Sequence, residues 1–216
     1  MAVSVLDFMN IIGAIAFAIA GALVAVQHEM DIFGVNVLAV ITATGGGMIR
    51  DIIMGDIPPM MFRDPRYVLL AVVTANVVFV YLYYRGEKTS DLIARLYERA
   101  LFWFDTLGLA AFTVGGVLAG YRKDESNTLF LIVFLGVVTG VGGGLLRDIC
   151  ANSIPMIFVK RVYAVASIIG AVMTGLLLKH TDLGTTMAAV IGGGLVVLIR
   201  VLAHHYRWHL PRIKSS

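Results

Sequence analysis

"TATGGGMIRDI", residues 42–52, lies in the middle of a long apolar run. Three consecutive glycines work against a helix, and an arginine followed by an aspartate works against lipid. The phrase returns as "TGVGGGLLRDI" at 139–149. A doubled phrase of this kind is a unit of construction, and the surrounding chain has to accommodate it twice.

The surroundings are those of a membrane protein. Of the 216 residues, 59% are hydrophobic and only 14% charged, where a soluble domain carries about 25% charge. The net charge of +3 does not point to nucleic acid, because the basic residues sit in loops between apolar runs. A single cysteine, Cys150, rules out an internal disulfide. The N-terminal segment has neither a basic leader nor a small-residue cleavage site, so the first apolar run is expected to be retained. No lipidation motif is visible at either end.

Seven apolar runs follow, at about 8–27, 32–49, 67–84, 101–121, 126–146, 162–178 and 183–203. Each approaches the ~20 residues a helix needs to cross a ~30 Å hydrocarbon core, and none alternates as a barrel strand would. The fold class is therefore all-α, with seven transmembrane helices. The segment 85–99 is amphipathic and is expected as a short surface helix. Arg63, Arg66, Arg122, Lys123 and Lys179 fall on one side of the membrane. Arg85, Lys88, Arg95, Arg99, Lys160, Arg161, Arg207, Arg212 and Lys214 fall on the other. The richer side is expected to be cytoplasmic, which places the N-terminus outside and the C-terminus inside.

Laid on itself, the chain matches over half its length. Gly13, Phe17 and Gly21 fall on Gly108, Phe112 and Gly116, and Gly45–Gly47 fall on Gly142–Gly144. Arg50-Asp51 and Ile57-Pro58 fall on Arg147-Asp148 and Ile154-Pro155, and Phe62 and Tyr67 on Phe158 and Tyr163. One transmembrane domain thus holds repeat one (about 5–84), the linker, repeat two (about 100–178), a seventh helix (about 183–203) and a basic tail (204–216). With three spans per copy, the second copy must enter the membrane from the opposite side. The copies are inverted about an axis in the membrane plane, with a site expected at the midplane where the interrupted helices meet.

At that site the glycines are expected to break the second and fifth helices. Carbonyls freed at a break carry partial negative charge and suit a cation. Thr42, Thr44 and Thr139, just before the breaks, add hydroxyl oxygens. Arg50 and Asp51 project from the face that carries Gly47, and Arg147 and Asp148 from that of Gly144. Buried charges in lipid must be paired or wet, and an arginine beside a cation path also serves as a gate. A purely structural reading has glycines for close approach and Arg-Asp struts; the inverted repetition favours the functional one. "IGGGL" at 191–195 lacks a following Arg-Asp and reads as close packing. His204, His205 and His209 lie among basic residues and read as a surface for anionic lipid, not a metal site. No dinucleotide fingerprint, Walker sequence, zinc box or nucleophile with its base is found, so neither catalysis nor a cofactor is expected.

The doubled GGGxxRD phrase, each copy followed by an Ile-Pro turn, resembles the TRIC family, the trimeric intracellular cation channels with bacterial and archaeal relatives. The resemblance runs from about Val5 to Ala203. It implies a homotrimer in lipid, each subunit with its own pore between the second and fifth helices at Gly45–Gly47 and Gly142–Gly144, passing K⁺ and Na⁺. Animal members carry Lys-Glu after one triplet, so Arg-Asp in both resembles the prokaryotic branch and implies a prokaryotic inner membrane. Prokaryotic members have also been labelled putative glycine transporters, and a secondary transporter of a small solute is the alternative that label names.

Overall fold

Ser4 opens the first helix by accepting a hydrogen bond from the Asp7 N–H, and beyond Asp7 no charge or proline interrupts the next 20 residues. The computed structural model describes residues 4–85, 91–159 and 162–208. Over these, the helices are α1 (Val5–Gln27), α2 (Ile32–Ile53), α3 (Met60–Arg63), α4 (Arg66–Arg85), α5 (Asp91–Lys123), α6 (Leu129–Cys150), α7 (Met156–Val159), α8 (Tyr163–His180) and α9 (Gly184–His205). All but the one-turn α3 and α7 are long and apolar enough to cross a membrane, which gives the seven spans.

The repeat is visible in the capping. Asp31 and Thr128, at equivalent positions, each cap the second helix of a copy by accepting from the N–H three residues on, Gly34 and Leu131. Copy one is α1, α2 and α4; copy two is α5, α6 and α8. Helices α1, α2, α5 and α6 form the centre, α4 packs on α1 and α2, and α8 packs on α5 and α6. α9 has no counterpart and lies against α8 and α5. Alanines at 14, 16, 18, 20, 22 and 25 are all buried on α1. Lipid tails supply no hydrophobic drive between helices, so such small side chains are what lets α1 pack tightly at the centre. α4 sits at the edge, with Leu69, Val73, Val77 and Val80 exposed.

Three expectations are corrected. The stretch 91–99 is not a separate surface helix but the opening turns of α5; residues 86–90 lie outside the described residues. The helix runs on from there into the span without a turn. The glycine-broken second and fifth helices are also not seen. α2 and α6 stay helical from Ile32 to Ile53 and from Leu129 to Cys150, through both triplets. Finally, the counterpart of Pro155 is Pro59 and not Pro58, because Phe62 N–H and Phe158 N–H bond the Pro59 and Pro155 carbonyls.

The third triplet is split between packing and exposure. A Cβ on Gly192 would collide with the Thr174 hydroxyl of α8, whereas one on Gly194 would meet nothing within 4 Å.

Candidate functional site

What the triplets do is bring α2 and α6 together. A Cβ on Gly46 would strike the Thr139 carbonyl, and one on Gly143 would strike the Thr42 carbonyl. These are the same contact seen from the two copies. The first glycines make room for the opposing helix: a Cβ on Gly45 would come within 2.5 Å of Leu146, and one on Gly142 within 3.0 Å of the Gly46 Cα. The third glycines face the half-sites: a Cβ on Gly47 would lie 3.7 Å from Arg50 Nη2, an ordinary contact, and one on Gly144 would lie 3.0 Å from the Tyr163 hydroxyl. The first two glycines of each triplet therefore serve the crossing, and the third faces the half-site.

Phe17 and Phe112 close the crossing from the side. Each ring lies over the glycine of the other copy, Phe17 on Gly108 and Phe112 on Gly13. The two rings meet at 5.2 Å between centroids. Thr42 and Thr139, both fully buried, donate to the Leu38 and Leu135 carbonyls at 2.6 Å. Their oxygens also lie 2.6 Å from where a Cβ on Gly21 or Gly116 would be. Thr44 donates to the Val40 carbonyl. Together these groups form a tightly closed waist.

On either side of the waist sits an arginine–aspartate half-site. Arg50 donates through Nε and Nη2 to Asp51 Oδ1 at 2.9 and 2.7 Å. Arg147 donates through Nε to Asp148 Oδ1 at 2.8 Å. The second oxygen of each aspartate accepts the first N–H of the following short helix, Met60 and Met156, both at 2.8 Å. Each carboxylate thus neutralises an arginine and caps the turn that its Ile-Pro sequence begins. All four side chains are buried.

Two further charges lie within spans, Asp105 on α5 and Arg200 on α9, neither marked by the repeat. Both are buried. Asp105 Oδ1 accepts from Arg147 Nη1 at 2.9 Å, and Oδ2 from Arg200 Nη2 at 3.3 Å. Arg200 lies over the rings of Tyr163 and Phe102, at 4.8 and 5.1 Å. The signal was available, since an ionisable residue inside an apolar span marks a site by default.

A cavity opens beyond each half-site, and the two lie towards opposite ends of α1. One is small, about 40 Å³, walled by Asn10, Thr44, Gly47, Arg50, Asp51 and Tyr67. The other, about 480 Å³, is walled by residues that include Gln27, Glu98, Phe102, Asp105, Arg200 and His204. His204 is therefore not a free tail residue; it stacks on Phe102 at 4.3 Å. His209 lies outside the described residues.

A clasp joins the copies at each end of the repeat. Lys123, ending α5, donates to the Met54 carbonyl and to Asp56. At the equivalent place His28, ending α1, bonds Ser153 Oγ at 3.1 Å. Near the smaller cavity, the Arg66 guanidinium holds the partly buried Asp64 carboxyl below the usual carboxylate range.

A family model described as glycine transporter matches the chain twice, over residues 7–83 and 102–179, one match per copy. The UPF0126 membrane protein of Deinococcus radiodurans is 40% identical over 94% of this chain and 89% of its own length. The UPF0126 inner membrane protein YadS of Escherichia coli is 36% identical over 94% and 92%. Among solved structures, a TRIC cation channel is 33% identical over 97% of this chain and 98% of its own, with a TM-score of 0.81. The TRIC orthologue from Rhodobacter sphaeroides is 28% identical over 94% and 99%, with a TM-score of 0.83.

Proposed function

This chain belongs to the glycine-transporter family matched by its two copies and to the prokaryotic branch of the TRIC family, and from that premise we propose that it is a channel for K⁺ and Na⁺, with one pore per subunit between α2 and α6. The observation that carries the proposal is the waist itself. Two inverted helices cross with the glycines of each against the backbone and Leu146 side chain of the other, with a buried half-site on each side and a cavity beyond it.

Conduction needs α2 and α6 to part at Gly46 and Gly143. The first groups met on parting are the Thr42 and Thr139 carbonyl oxygens, whose partial negative charge suits a monovalent cation and repels an anion. The flanking arginines are held by Asp51, Asp105 and Asp148, so neither half-site sets a net positive barrier. Nothing in such a pore selects sharply between K⁺ and Na⁺, and neither an enzymatic step nor a cofactor enters the account. The active form is a homotrimer in a bacterial inner membrane, N-terminus outside and C-terminus in the cytoplasm.

The family description favours a second reading, a secondary transporter of glycine. Two cavities separated by a closed waist also suit alternating access. Proteoliposomes decide between them. A channel dissipates a K⁺ gradient without competition from glycine; a transporter takes up labelled glycine saturably and leaves K⁺ in place.

A further inference from the structure

The two half-sites match in the arginine, the aspartate, the capped N–H and the tyrosine, but differ in charge at one place. Position 10 of copy one is asparagine, and its counterpart at 105 is aspartate. Both are buried. The extra carboxylate of copy two is matched by an extra cation from outside the repeat, Arg200 of α9. Arg50 and Asp51 sum to zero, and Arg147, Arg200, Asp105 and Asp148 also sum to zero. The halves therefore have equal net charge and unequal internal structure.

Arg200 is the less firmly held of the two arginines. Its single contact to Asp105 is 3.3 Å, against 2.9 Å for Arg147. Its Nε has no hydrogen-bond partner among the described residues although the side chain is only 6% exposed, and Arg147 likewise leaves one nitrogen, Nη2, without one but holds two carboxylates. It forms part of the wall of the 480 Å³ cavity together with Asp105. When Arg200 leaves, Asp105 keeps one oxygen on Arg147 and turns the other to the cavity as an acceptor for a cation. The smaller cavity has only the neutral Asn10 at that place.

We propose that Asp105 is a cation-positioning residue at one mouth only, with Arg200 of α9 as its tethered counter-ion, so that the seventh helix makes an otherwise two-fold path conduct unequally in its two directions. The inference rests on the channel reading. An uncompensated unit charge about 10 Å from ions in a watery cavity changes their local concentration about twofold, and that sets the expected size of the effect.

The test is the single-channel current–voltage curve in symmetric KCl for the wild type, Asp105→Asn, Arg200→Gln, Arg200→Lys and the double variant Asp105→Asn/Arg200→Gln. The wild type and Arg200→Lys should rectify alike. Arg200→Gln should raise K⁺ current entering from that mouth about twofold and Asp105→Asn should lower it about twofold. The double variant, with its asparagine as in copy one, should lose rectification. Unlike either single neutralisation, it removes both charges together and leaves none unpaired. A double variant that rectifies as the wild type does, or Arg200→Gln with wild-type current, overturns the inference and leaves the channel reading intact. A wild type that never opens while its proteoliposomes take up glycine overturns the channel reading, and the inference with it.

Discussion

At Gly46 and Gly143 the absence of a single carbon decides how near two helices come. A methyl group there meets a partner carbonyl, so Gly46→Ala should force α2 and α6 apart and cost about 1–3 kcal/mol, as overpacking does. Gly194→Ala, at a position where the methyl meets nothing, should gain up to about 1 kcal/mol of helix propensity. Melting of the detergent-solubilised protein compares the two; equal shifts would contradict the contact. Arg147 holds two carboxylates and Arg50 one. Arg147→Met should therefore destabilise by about 3–5 kcal/mol, and by more than Arg50→Met, in the same assay. The glycines and the Arg-Asp pairs were legible in the sequence because they recur. Their division of labour was not, since propensity alone predicts a break at three glycines. A tertiary contact holds the helix intact because the missing side chains are replaced by a neighbouring backbone.

The helices carry a second lesson. Their number, order and inversion follow from apolar length and from an odd count of spans per copy, and these are properties of the chain by itself. The long α5 and the central crossing were less accessible, since both depend on what each helix packs against. Asp105 and Arg200 were overlooked for a related reason, being single charges in runs read by their average character. The clasps between the copies connect element to element. Lys123 and Asp56 are both partly exposed, so Lys123→Met should cost no more than about 1 kcal/mol of stability. It should nevertheless raise open probability, because the bond ties the turn after α2 in one copy to the end of α5 in the other. Paired melts and bilayer recordings check this, and a wild-type open probability in Lys123→Met would make the clasp a passive contact.

For the whole molecule, the inverted repeat supplies a waist with a cavity on each side, and α9 supplies the departure from symmetry. Orientation in the membrane is testable with the lone Cys150, exposed at the end of α6, on the same face as the end of α9. A membrane-impermeant maleimide should label it in inside-out vesicles and not in intact cells; the reverse pattern would invert the topology. The central claim is that the waist opens to cations, and recording the purified protein in a planar bilayer under a KCl gradient tests it most directly. Discrete openings that reverse near the K⁺ equilibrium potential, and are lost in Gly46→Leu, are the predicted result. Openings that reverse near the Cl⁻ potential, or wild-type currents from Gly46→Leu, would contradict a cation path between α2 and α6.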